Sequence, residues 1–341
     1  MRSEPAAQMA PAVEDAHRLL FIRTDRLGET LLNLPAIAAL NAALPNAELT
    51  VVVNPALQDL IAAAPGVARV LPYAEAEGQW WLARAIRLAN VLRSHHFDLA
   101  IVSNPKKELH LAVWLAGIPI RVGYARKWGR WLLTHRLDDR KALGERHEVE
   151  YNLDLIRALG LPTTIPSWQL PRFDREQAGV LQLLQQQGIK PSEPFIAVHP
   201  WTSNPLKQWP VGRFQTLIRQ CVERSGVQVV VVGGPEEAGR SKEILLAAVH
   251  VGDLTGKLSL RQLAALLQTA RLLVSNDSGP VHVAAAVGAK TVVLFGTPDS
   301  ATGPGRWGPY GEGHRVIWKP TMEEIGVEDV FDLVQQALND A

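Results

Sequence analysis

An Asn-Asp-Ser-Gly-Pro segment separates a short apolar strand from an Ala-rich helical stretch near the end of the chain. Asp277 or Ser278 can cap the new helix, and Gly279 lets the backbone approach a ligand. Pro280 suits a first helical turn, because its missing N–H costs nothing there. The N–H groups at such a helix start can bind phosphate, and His282 can add a donor. The segment predicts an anion site, although an ordinary capped connection has the same composition.

Two further polar loops follow apolar strands in the second half of the chain. HPWTSNPLKQWP contains Thr202, Ser203 and Lys207, and GGPEE ends on Glu237. Lys207 can neutralise phosphate, the two hydroxyls can donate to it, and an acid such as Glu237 can accept bonds from ribose. Since nucleotides bind at the carboxyl edge of open α/β sheets, the three loops predict one nucleotide site. No phosphate-cradling glycine motif of the kinase or NAD type directly follows a strand, which disfavours those two enzyme classes.

The 341-residue chain is 47% hydrophobic, so it can bury a sizeable core and is long enough for two domains. Its 35 basic and 34 acidic side chains give a net charge of +1, which indicates no nucleic-acid partner. The one cysteine, Cys221, excludes a disulfide framework and fits a reducing compartment, so we expect a cytoplasmic protein. Residues 1–16 lack the apolar stretch of a signal peptide, and no run reaches the roughly 18 apolar residues of a membrane span.

Short apolar strands alternate with helical segments along both halves of the chain. Residues 19–22, 49–53 and 99–102 are predicted strands of the first half, and residues 195–198 begin the second. This alternation predicts an α/β protein with parallel, helix-covered sheets. The Pro-containing segment 162–171 has the composition of an interdomain crossing. We therefore expect a loose tail over 1–17, one domain over 18–170 and a second over 171–341.

The alternation breaks down over residues 120–151, where basic residues are mixed with Trp and Leu. Arg126, Lys127, Arg130 and Trp131 lie in this stretch, and such an interleaving suits an anionic, partly apolar surface. A solvated loop is the competing interpretation.

Four ordered motifs carry a resemblance to a known family. They read RTDRLGETLLNLPAIAAL, AVHPWTSNPLKQWP, VVGGPEE and VSNDSGPVHVAAAVGAKTVVLFGTPD, and they resemble the successive motifs of glycosyltransferase family 9, the ADP-heptose:lipopolysaccharide heptosyltransferases. The resemblance implies a GT-B fold, in which two Rossmann-like domains face each other across a cleft. The first domain would bind the acceptor and the second the nucleotide sugar, and a terminal helix over 323–341 could pack back on the first.

The resemblance also implies roles for residues in the cleft. It assigns Thr202, Ser203 and Lys207 to the diphosphate, Glu237 to the ribose, and Asp277, Ser278, Gly279 and His282 to the pyrophosphate and the sugar. The family's general base is an Asp directly after a Gly in the first βα turn, whereas here Gly28 is followed by Glu29. Glutamate is one methylene longer, so its carboxylate can still reach the cleft. Asp25 is the second candidate.

These roles describe a sugar transfer with inversion. One carboxylate takes a proton from an acceptor hydroxyl that attacks the anomeric carbon, while cations and N–H groups stabilise the departing diphosphate. The expected substrates are an ADP-activated heptose and a lipopolysaccharide-core-type or other glycan acceptor, which Arg126, Lys127, Arg130 and Trp131 would contact. We expect no metal and no further cofactor, since Lys207 and the helix start could hold the phosphate charge. The expected location is the cytoplasm, with possible contact to the inner membrane.

Two other functions fit parts of the sequence. A nucleotide-sugar epimerase also uses two Rossmann-like domains, but it needs no glycolipid acceptor, and the basic Trp-containing stretch disfavours it. A catalytically silent nucleotide-sugar-binding protein would explain the Glu at the position of the family's base. The sequence leaves the nucleotide base, the sugar and the acceptor open.

Overall fold

The computed structural model describes residues 13–75, 78–125, 129–245 and 251–340. Within these ranges the first half of the chain forms a six-stranded parallel sheet with the spatial order β3-β2-β1-β4-β5-β6. Its strands are β1 (Arg18–Ile22), β2 (Glu48–Val53), β3 (Val67–Pro72), β4 (Leu99–Val102), β5 (Ile120–Ala125) and β6 (His135–Asp138).

The second half of the chain repeats this topology. Its six parallel strands have the spatial order β12-β11-β10-β7-β8-β9. They are β7 (Phe195–His199), β8 (Gln228–Val231), β9 (Val251–Asp253), β10 (Leu273–Asn276), β11 (Thr291–Gly296) and β12 (His314–Lys319). In each sheet the first and fourth strands are neighbours, β1 beside β4 and β7 beside β10. The strand order reverses at these two points, and open α/β sheets bind ligands there.

Helices connect the strands and cover the sheet faces. They are α1 (Leu27–Leu31), α2 (Leu34–Ala43), α3 (Gln58–Ile61), α4 (Trp81–Arg93), α5 (Lys107–Leu115), α6 (Glu148–Arg157), α7 (Asp174–Gln186), α8 (Val211–Ser225), α9 (Ser241–Leu245), α10 (Leu260–Thr269), α11 (Gly279–Ala286), α12 (Pro304–Trp307) and α13 (Val327–Asn339). The predicted α/β class with parallel sheets is confirmed. In the described ranges no helix is both long and apolar enough to cross a membrane.

Alternate residues of β1 enter two different cores. Leu20 and Ile22 pack with α4 and α5 on one face of the first sheet. Leu19 and Phe21 point to the other face, into a core that also contains Phe195 of β7 and residues of α10 and α11. This second core runs from one half of the molecule into the other. The two halves are therefore joined by shared apolar packing as well as by the connecting segment.

The sequence analysis predicted that the strand–helix alternation breaks down over residues 120–151. The structure shows instead that the sheet continues through this stretch. It contains β5 and β6, which extend the first sheet at one edge. The prediction failed because β5 includes Arg121 and Gly123, and because the four residues of β6 are not buried. Short edge strands carry too little apolar periodicity to be seen in the sequence.

The terminal helix α13 packs on α8 and on strands β11 and β12. Its apolar stripe, Val330, Phe331, Val334 and Ala337, is buried in a core formed by the second half of the chain. The sequence analysis expected this helix to pack back on the first domain. The observed contacts do not agree with that expectation, because the apolar stripe of α13 is buried against other elements of the second half. The boundaries 1–17, 18–170 and 171–341 stay a prediction, and residues 1–12 lie outside the described part.

Helices α1 and α11 come from opposite halves and lie against each other. A Cβ atom added to Gly28 in α1 would lie 2.6 Å from Cδ2 of His282 in α11. A Cβ atom added to Gly279 would lie 3.1 Å from Cδ2 of Leu27. Two glycines therefore make room for the contact that brings the two candidate loops together.

Gly28→Ala should lower the free energy of unfolding by about 1–3 kcal/mol, because the new methyl group must push aside a fully enclosed imidazole. Gly179→Ala is the matched control, since its Cβ would meet Gln262 Nε2 at an ordinary 3.7 Å. Because alanine is favoured over glycine inside a helix such as α7, the control should be unchanged or slightly more stable. Urea denaturation measures both, and equal stabilities of the two variants would contradict the tight α1–α11 contact.

Candidate active site

The carboxyl ends of β10, β7 and β8 lie side by side in the second sheet. The loops that leave them carry Asp277, Lys207 and Glu237. Lys207 ends a short 3₁₀ helix, Glu237 ends another, and Asp277 directly follows β10. The structure thus brings the three predicted loops to one edge, where direct contacts link them.

An ion pair joins the first two loops. Lys207 Nζ donates to Asp277 Oδ2. Burial raises the pKa of Asp277, the ammonium of Lys207 opposes this rise, and the charge of Glu29 adds to it. Asp277 therefore depends on Lys207 for its counter-charge, and a diphosphate entering the site would compete with Asp277 for the same ammonium.

His199, the last residue of β7, joins the loop of Asp277 and Ser278 to the loop of Glu237, and it was not selected from the sequence. Its Nδ1 lies 3.0 Å from Ser278 Oγ, and its Nε2 lies 3.4 Å from Glu237 Oε2. The Gly234 amide donates to the same carboxylate oxygen at 2.7 Å. The one available signal was the position of His199, at the point where a buried strand gives way to a polar loop.

The carboxylate of Glu237 is held in its charged form. Burial acts to raise the pKa of Glu237, but the bonds from His199 and the Gly234 amide, with the charge of Arg240, hold this pKa below its usual value. Oε2 accepts both bonds, while Oε1 has no partner among residues 13–75, 78–125, 129–245 and 251–340. The bonds at Oε2 hold the carboxylate in place, so Glu237 can accept a hydrogen bond from a ligand hydroxyl through Oε1.

The prediction that Asp277 or Ser278 caps α11 is wrong. No side chain caps this helix, although Ser278 occupies the N-cap position. Asp277 is paired with Lys207, and Ser278 Oγ bonds His199 and also lies 2.9 Å from Ser275 Oγ. Because both oxygens are engaged elsewhere, the first N–H groups of α11 have no side-chain acceptor. Pro280 has no N–H and the Val281 amide donates to the Ser278 carbonyl at 3.2 Å, so the amides of Gly279 and His282 are the ones left for an anion, as the predicted phosphate site requires.

Thr202 and Ser203 lie in the same loop as Lys207. Thr202 Oγ1 accepts from the Asn204 amide at 3.4 Å. Ser203 Oγ accepts from Arg26 Nη1 at 3.5 Å, which connects this loop with the first half of the chain. The two hydroxyls are therefore placed at the sheet edge expected from the sequence, and Ser203 lies on the side that faces the first domain.

His282 is buried in the first turn of α11, with its ring against Gly28. Its Nδ1 has no hydrogen-bond partner among the described residues. Burial, together with the nearby His147, His314 and Lys207, lowers the pKa of His282 to about 3. His282 is therefore neutral at physiological pH and can act as a hydrogen-bond group but not as a cation.

The two candidate bases lie in very different surroundings. Asp25 contacts three side chains: Arg23 Nε at 3.1 Å, Lys106 Nζ at 2.8 Å and Asn104 Nδ2 at 3.2 Å. Burial acts to raise the pKa of Asp25, but these partners hold it below the usual value. The half-buried Glu29 carboxylate forms no hydrogen bond or ion pair within the described residues. Glu29 is thus the free carboxylate and Asp25 the engaged one.

A buried group of charges behind Asp25 was missed in the sequence. Glu148 begins α6 and pairs with Lys141 at 2.7 Å, with Arg306 at 3.2 Å and with Arg23 at 3.6 Å. Burial acts to raise the pKa of Glu148, but the three cations keep it below its usual value. A cavity of about 200 Å³ adjoins this cluster. The cluster was missed because Arg23 and Arg306 are far in sequence from Lys141 and Glu148, and only the fold brings the four together.

The residues expected to contact the acceptor are only partly described. Arg126 and Lys127 lie outside the described residues. Arg130 begins a short 3₁₀ helix, Arg130–Leu132, which packs beside α5. In that helix Trp131 is 86% exposed. An indole so exposed agrees with a surface role, while the acceptor contact itself stays a prediction.

Comparison with known proteins identifies the family. The model of glycosyltransferase family 9 (heptosyltransferase) matches residues 85–333. The chain belongs to this family. Lipopolysaccharide heptosyltransferase 2 of Escherichia coli K12 is 27% identical to this glycosyltransferase over 296 residues, which are 83% of the chain and 84% of that relative. The recognition made from the four motifs is therefore confirmed, and so is the prediction of a glycosyltransferase.

Solved structures show the same fold. A family 9 glycosyltransferase from Veillonella parvula superposes with a TM-score of 0.86 at 22% identity, over 97% of this chain and 99% of that one. The E. coli ADP-heptose lps heptosyltransferase II superposes with a TM-score of 0.80 at 24% identity, over 95% of this chain and 99% of that one. The predicted GT-B fold is thereby confirmed for this glycosyltransferase.

If the predicted nucleotide site is right, Lys207→Gln should weaken the binding of ADP about tenfold or more, because it would remove the charge-assisted bond expected between the ammonium and the diphosphate. Lys190→Gln removes an ammonium that pairs with Glu193 far from the site, and it should leave ADP affinity unchanged. Calorimetric titration with ADP and with inorganic pyrophosphate measures both variants. If Lys207→Gln bound both ligands as tightly as the wild type does, the phosphate-site assignment would be contradicted.

Stability should fall as the pH drops below about 6.5, the usual pKa of histidine. The pKa of His282 is about 3 in the folded state, so between these values the unfolded state binds more protons and acidification favours unfolding. The slope from this one histidine is at most about 1.4 kcal/mol per pH unit. Urea denaturation between pH 7 and pH 4.5 should therefore give a flatter profile for His282→Gln. His96→Asn is the control, because His96 is exposed and asparagine tolerates its left-handed φ of 51°. This variant should keep the wild-type slope.

Proposed function

We propose that this glycosyltransferase transfers heptose, with inversion, from an ADP-activated donor to a lipopolysaccharide-core-type glycan. The observation that carries the proposal is the arrangement of charges at the α1–α11 contact. Glu29 of the first half is close enough to Asp277 of the second for its charge to raise the pKa of Asp277. A free carboxylate is thus next to a site with the chemistry of a diphosphate-binding edge. The names of the relatives support the choice of heptose and lipopolysaccharide.

The donor would be held by three groups at the carboxyl edge of the second sheet. Lys207 would exchange Asp277 for the diphosphate, and the N–H groups of α11 would bind the same phosphates. Glu237 would accept bonds from ribose hydroxyls through Oε1, because Oε2 is already held by the Gly234 amide and His199. His199 is then a positioning residue, which fixes Glu237 and holds the Ser278 hydroxyl beside it.

The chemical step would be a direct displacement. An acceptor hydroxyl attacks the anomeric carbon as Glu29 takes its proton, and the bond between that carbon and the diphosphate oxygen breaks. The electron pair leaves with ADP, whose developing charge is stabilised by Lys207 and by the helix start. Attack from the face opposite the leaving group inverts the anomeric centre. This scheme requires no metal or further cofactor, which is part of the proposal.

Glu29 is favoured over Asp25 as the base. A base must have a lone pair available to the hydroxyl that it deprotonates. Asp25 is engaged by Arg23, Lys106 and Asn104, which stabilise its charged form and lower its proton affinity. Asp25 instead positions Arg23 and Lys106 at the end of β1.

The acceptor would bind on the first half of the molecule, and the enzyme would act in the cytoplasm at the inner face of the membrane. The exposed Trp131 and the basic residues of its segment, Arg126, Lys127 and Arg130, suit an anionic glycolipid. An epimerase is disfavoured by the family. A silent binding protein remains a distinct outcome of the assay, because the base position carries Glu.

Incubation with ADP-heptose and a lipopolysaccharide-core acceptor should release ADP and give a product of inverted anomeric configuration, which NMR can assign. Glu29→Gln keeps the size and hydrogen bonding of the side chain but removes its basicity. It should lower kcat by about 10² to 10⁴ while ADP affinity is retained. Asp25→Asn is the comparison variant, and it should lose less kcat and more stability, since Arg23 keeps only Glu148 and Lys106 keeps only Glu75 as a counter-charge.

Each alternative gives a different result in this assay. Normal turnover by Glu29→Gln with an inactive, folded Asp25→Asn would make Asp25 the base. Nucleotide-sugar binding without turnover by the wild type would indicate a silent protein. Release of ADP only with a different sugar or acceptor would keep the transferase chemistry and overturn the choice of substrate.

A further inference from the structure

Exposed apolar side chains are concentrated on one part of the first domain. Of the nine large apolar side chains that are exposed in the described residues, five lie on or beside α4, α5 and the short helix Arg130–Leu132. They are Trp80 (66% exposed), Ile86 (45%), Val91 (45%), Trp114 (48%) and Trp131 (86%). Three of the five are tryptophans, a residue type that favours the boundary between a bilayer and water.

These residues belong to one continuous layer. Arg84 of α4 donates to Glu108 of α5 at 3.0 Å, and Arg93 at the end of α4 donates to the Leu115 carbonyl at the end of α5 at 2.9 Å. The two helices therefore run side by side in the same direction. The short helix that carries Trp131 packs beside α5. We refer to the outer side of α4, α5 and this short helix as the α4–α5 surface.

The α4–α5 surface carries positive charge without exposed negative charge on its two long helices. Helix α4 contains Arg84, Arg87 and Arg93 and no acid, and α5 begins with Lys107. The one acid of α5, Glu108, is buried and paired with Arg84. Such a combination of arginine, lysine and exposed tryptophan is complementary to a surface of anionic lipid headgroups.

The position of the layer in the fold leaves this surface accessible. Helices α4 and α5 cover the face of the first sheet whose core is formed within the first half alone. The opposite face of that sheet packs into the core shared with the second half. The α4–α5 surface thus points away from the second half of the molecule.

One end of the layer lies next to the candidate active site. Lys106, directly before α5, pairs with Asp25 in the loop after β1. Lys107 Nζ lies 4.3 Å from the centre of the Trp81 ring at the start of α4, and Trp80 adjoins it. A surface to which this end of the layer is bound would therefore lie beside the loop that leads into α1, the helix that carries Glu29.

We propose that the α4–α5 surface docks on an anionic lipid bilayer and holds the cleft at the membrane surface. The proposal rests on the proposed function, which supplies the reason for docking, since a glycolipid acceptor is embedded in such a bilayer. Tryptophans would enter the headgroup region while Arg87, Arg93 and Lys107 contact lipid phosphates. The first domain would then face the membrane with its acceptor side at the lipid surface.

Vesicle sedimentation with the full chain tests the proposal. The wild type should bind vesicles of phosphatidylethanolamine and phosphatidylglycerol, and it should bind phosphatidylcholine vesicles much more weakly. Trp80→Ala combined with Trp114→Ala should weaken binding to the anionic vesicles about tenfold or more, because less apolar area is buried in the interface. Arg87→Gln and Lys107→Gln should each weaken it about fivefold and reduce its dependence on salt.

Trp318→Ala is the matched control. Trp318 lies on β12 of the second half and is 48% exposed, as Trp114 is. Its replacement should leave vesicle binding unchanged. Wild-type binding by the Trp80/Trp114 variant, or an equal loss in Trp318→Ala, would overturn the proposal. Sedimentation velocity without lipid gives a further test, because a dimer that the Trp80/Trp114 variant alone disrupts would assign the surface to self-association instead.

The outcomes separate docking from catalysis. Vesicle binding requires no turnover, so a chain that binds anionic vesicles but transfers no sugar would retain the surface and lose the proposed function. Conversely, the surface variants should transfer sugar normally to a water-soluble acceptor fragment that lacks the lipid. Their activity should fall only when the acceptor is embedded in vesicles, and unchanged activity on both acceptors would contradict the proposal.

Discussion

The close contact between α1 and α11 is the constraint on which the candidate site depends. Each helix begins just after the carboxyl end of a strand at the point where its sheet changes direction, and each comes from a different half of the chain. Gly28 and Gly279 allow the backbones to approach because neither has a side chain in the space between them. Glu29 is next to Gly28 and Asp277 is close to Gly279, so this packing brings two carboxylates within electrostatic reach of each other. A larger residue at either glycine would separate the charges as well as the helices.

Two like charges at this contact require a cation, and Lys207 supplies it from a third loop. The ion pair with Asp277 compensates one carboxylate and leaves the other, Glu29, without a partner in the described residues. A base and an anion-binding ammonium normally neutralise each other when they are free to meet. Here the ammonium of Lys207 is instead paired with Asp277. A bound diphosphate could replace Asp277 as the counter-charge while the base position keeps its free carboxylate.

The sequence predicts the centre of each sheet better than its edges. Strands such as β1, β7 and β10 are buried on both faces, so their apolar runs and the polar loops that follow them were visible as a pattern. Strands β5, β6 and β12 are edge or near-edge strands with mixed sequences, and they were not predicted. The site followed the same rule. Charged residues of the polar loops that follow buried strands, such as Lys207 and Asp277, were found, whereas His199 was missed because its role depends on two loops that only the folded chain brings together.

Contacts between distant segments also decide how the two halves are held together behind the site. Arg306 of α12 reaches Glu148 at the start of α6, and His147 Nε2 donates to the Gly308 carbonyl at 3.0 Å. His147 Nδ1 accepts from the Val149 amide at 3.2 Å, so the imidazole must be neutral to make both bonds. Burial lowers the pKa of His147, which favours that neutral form. The polar contacts between the halves are thus made by the buried Glu148 carboxylate and by the neutral His147 ring. Each of them requires a defined distance and orientation of its partner. Together with the shared apolar core, these bonds fix which residues near α12 face the start of α6 and so hold the two halves in one arrangement behind the site.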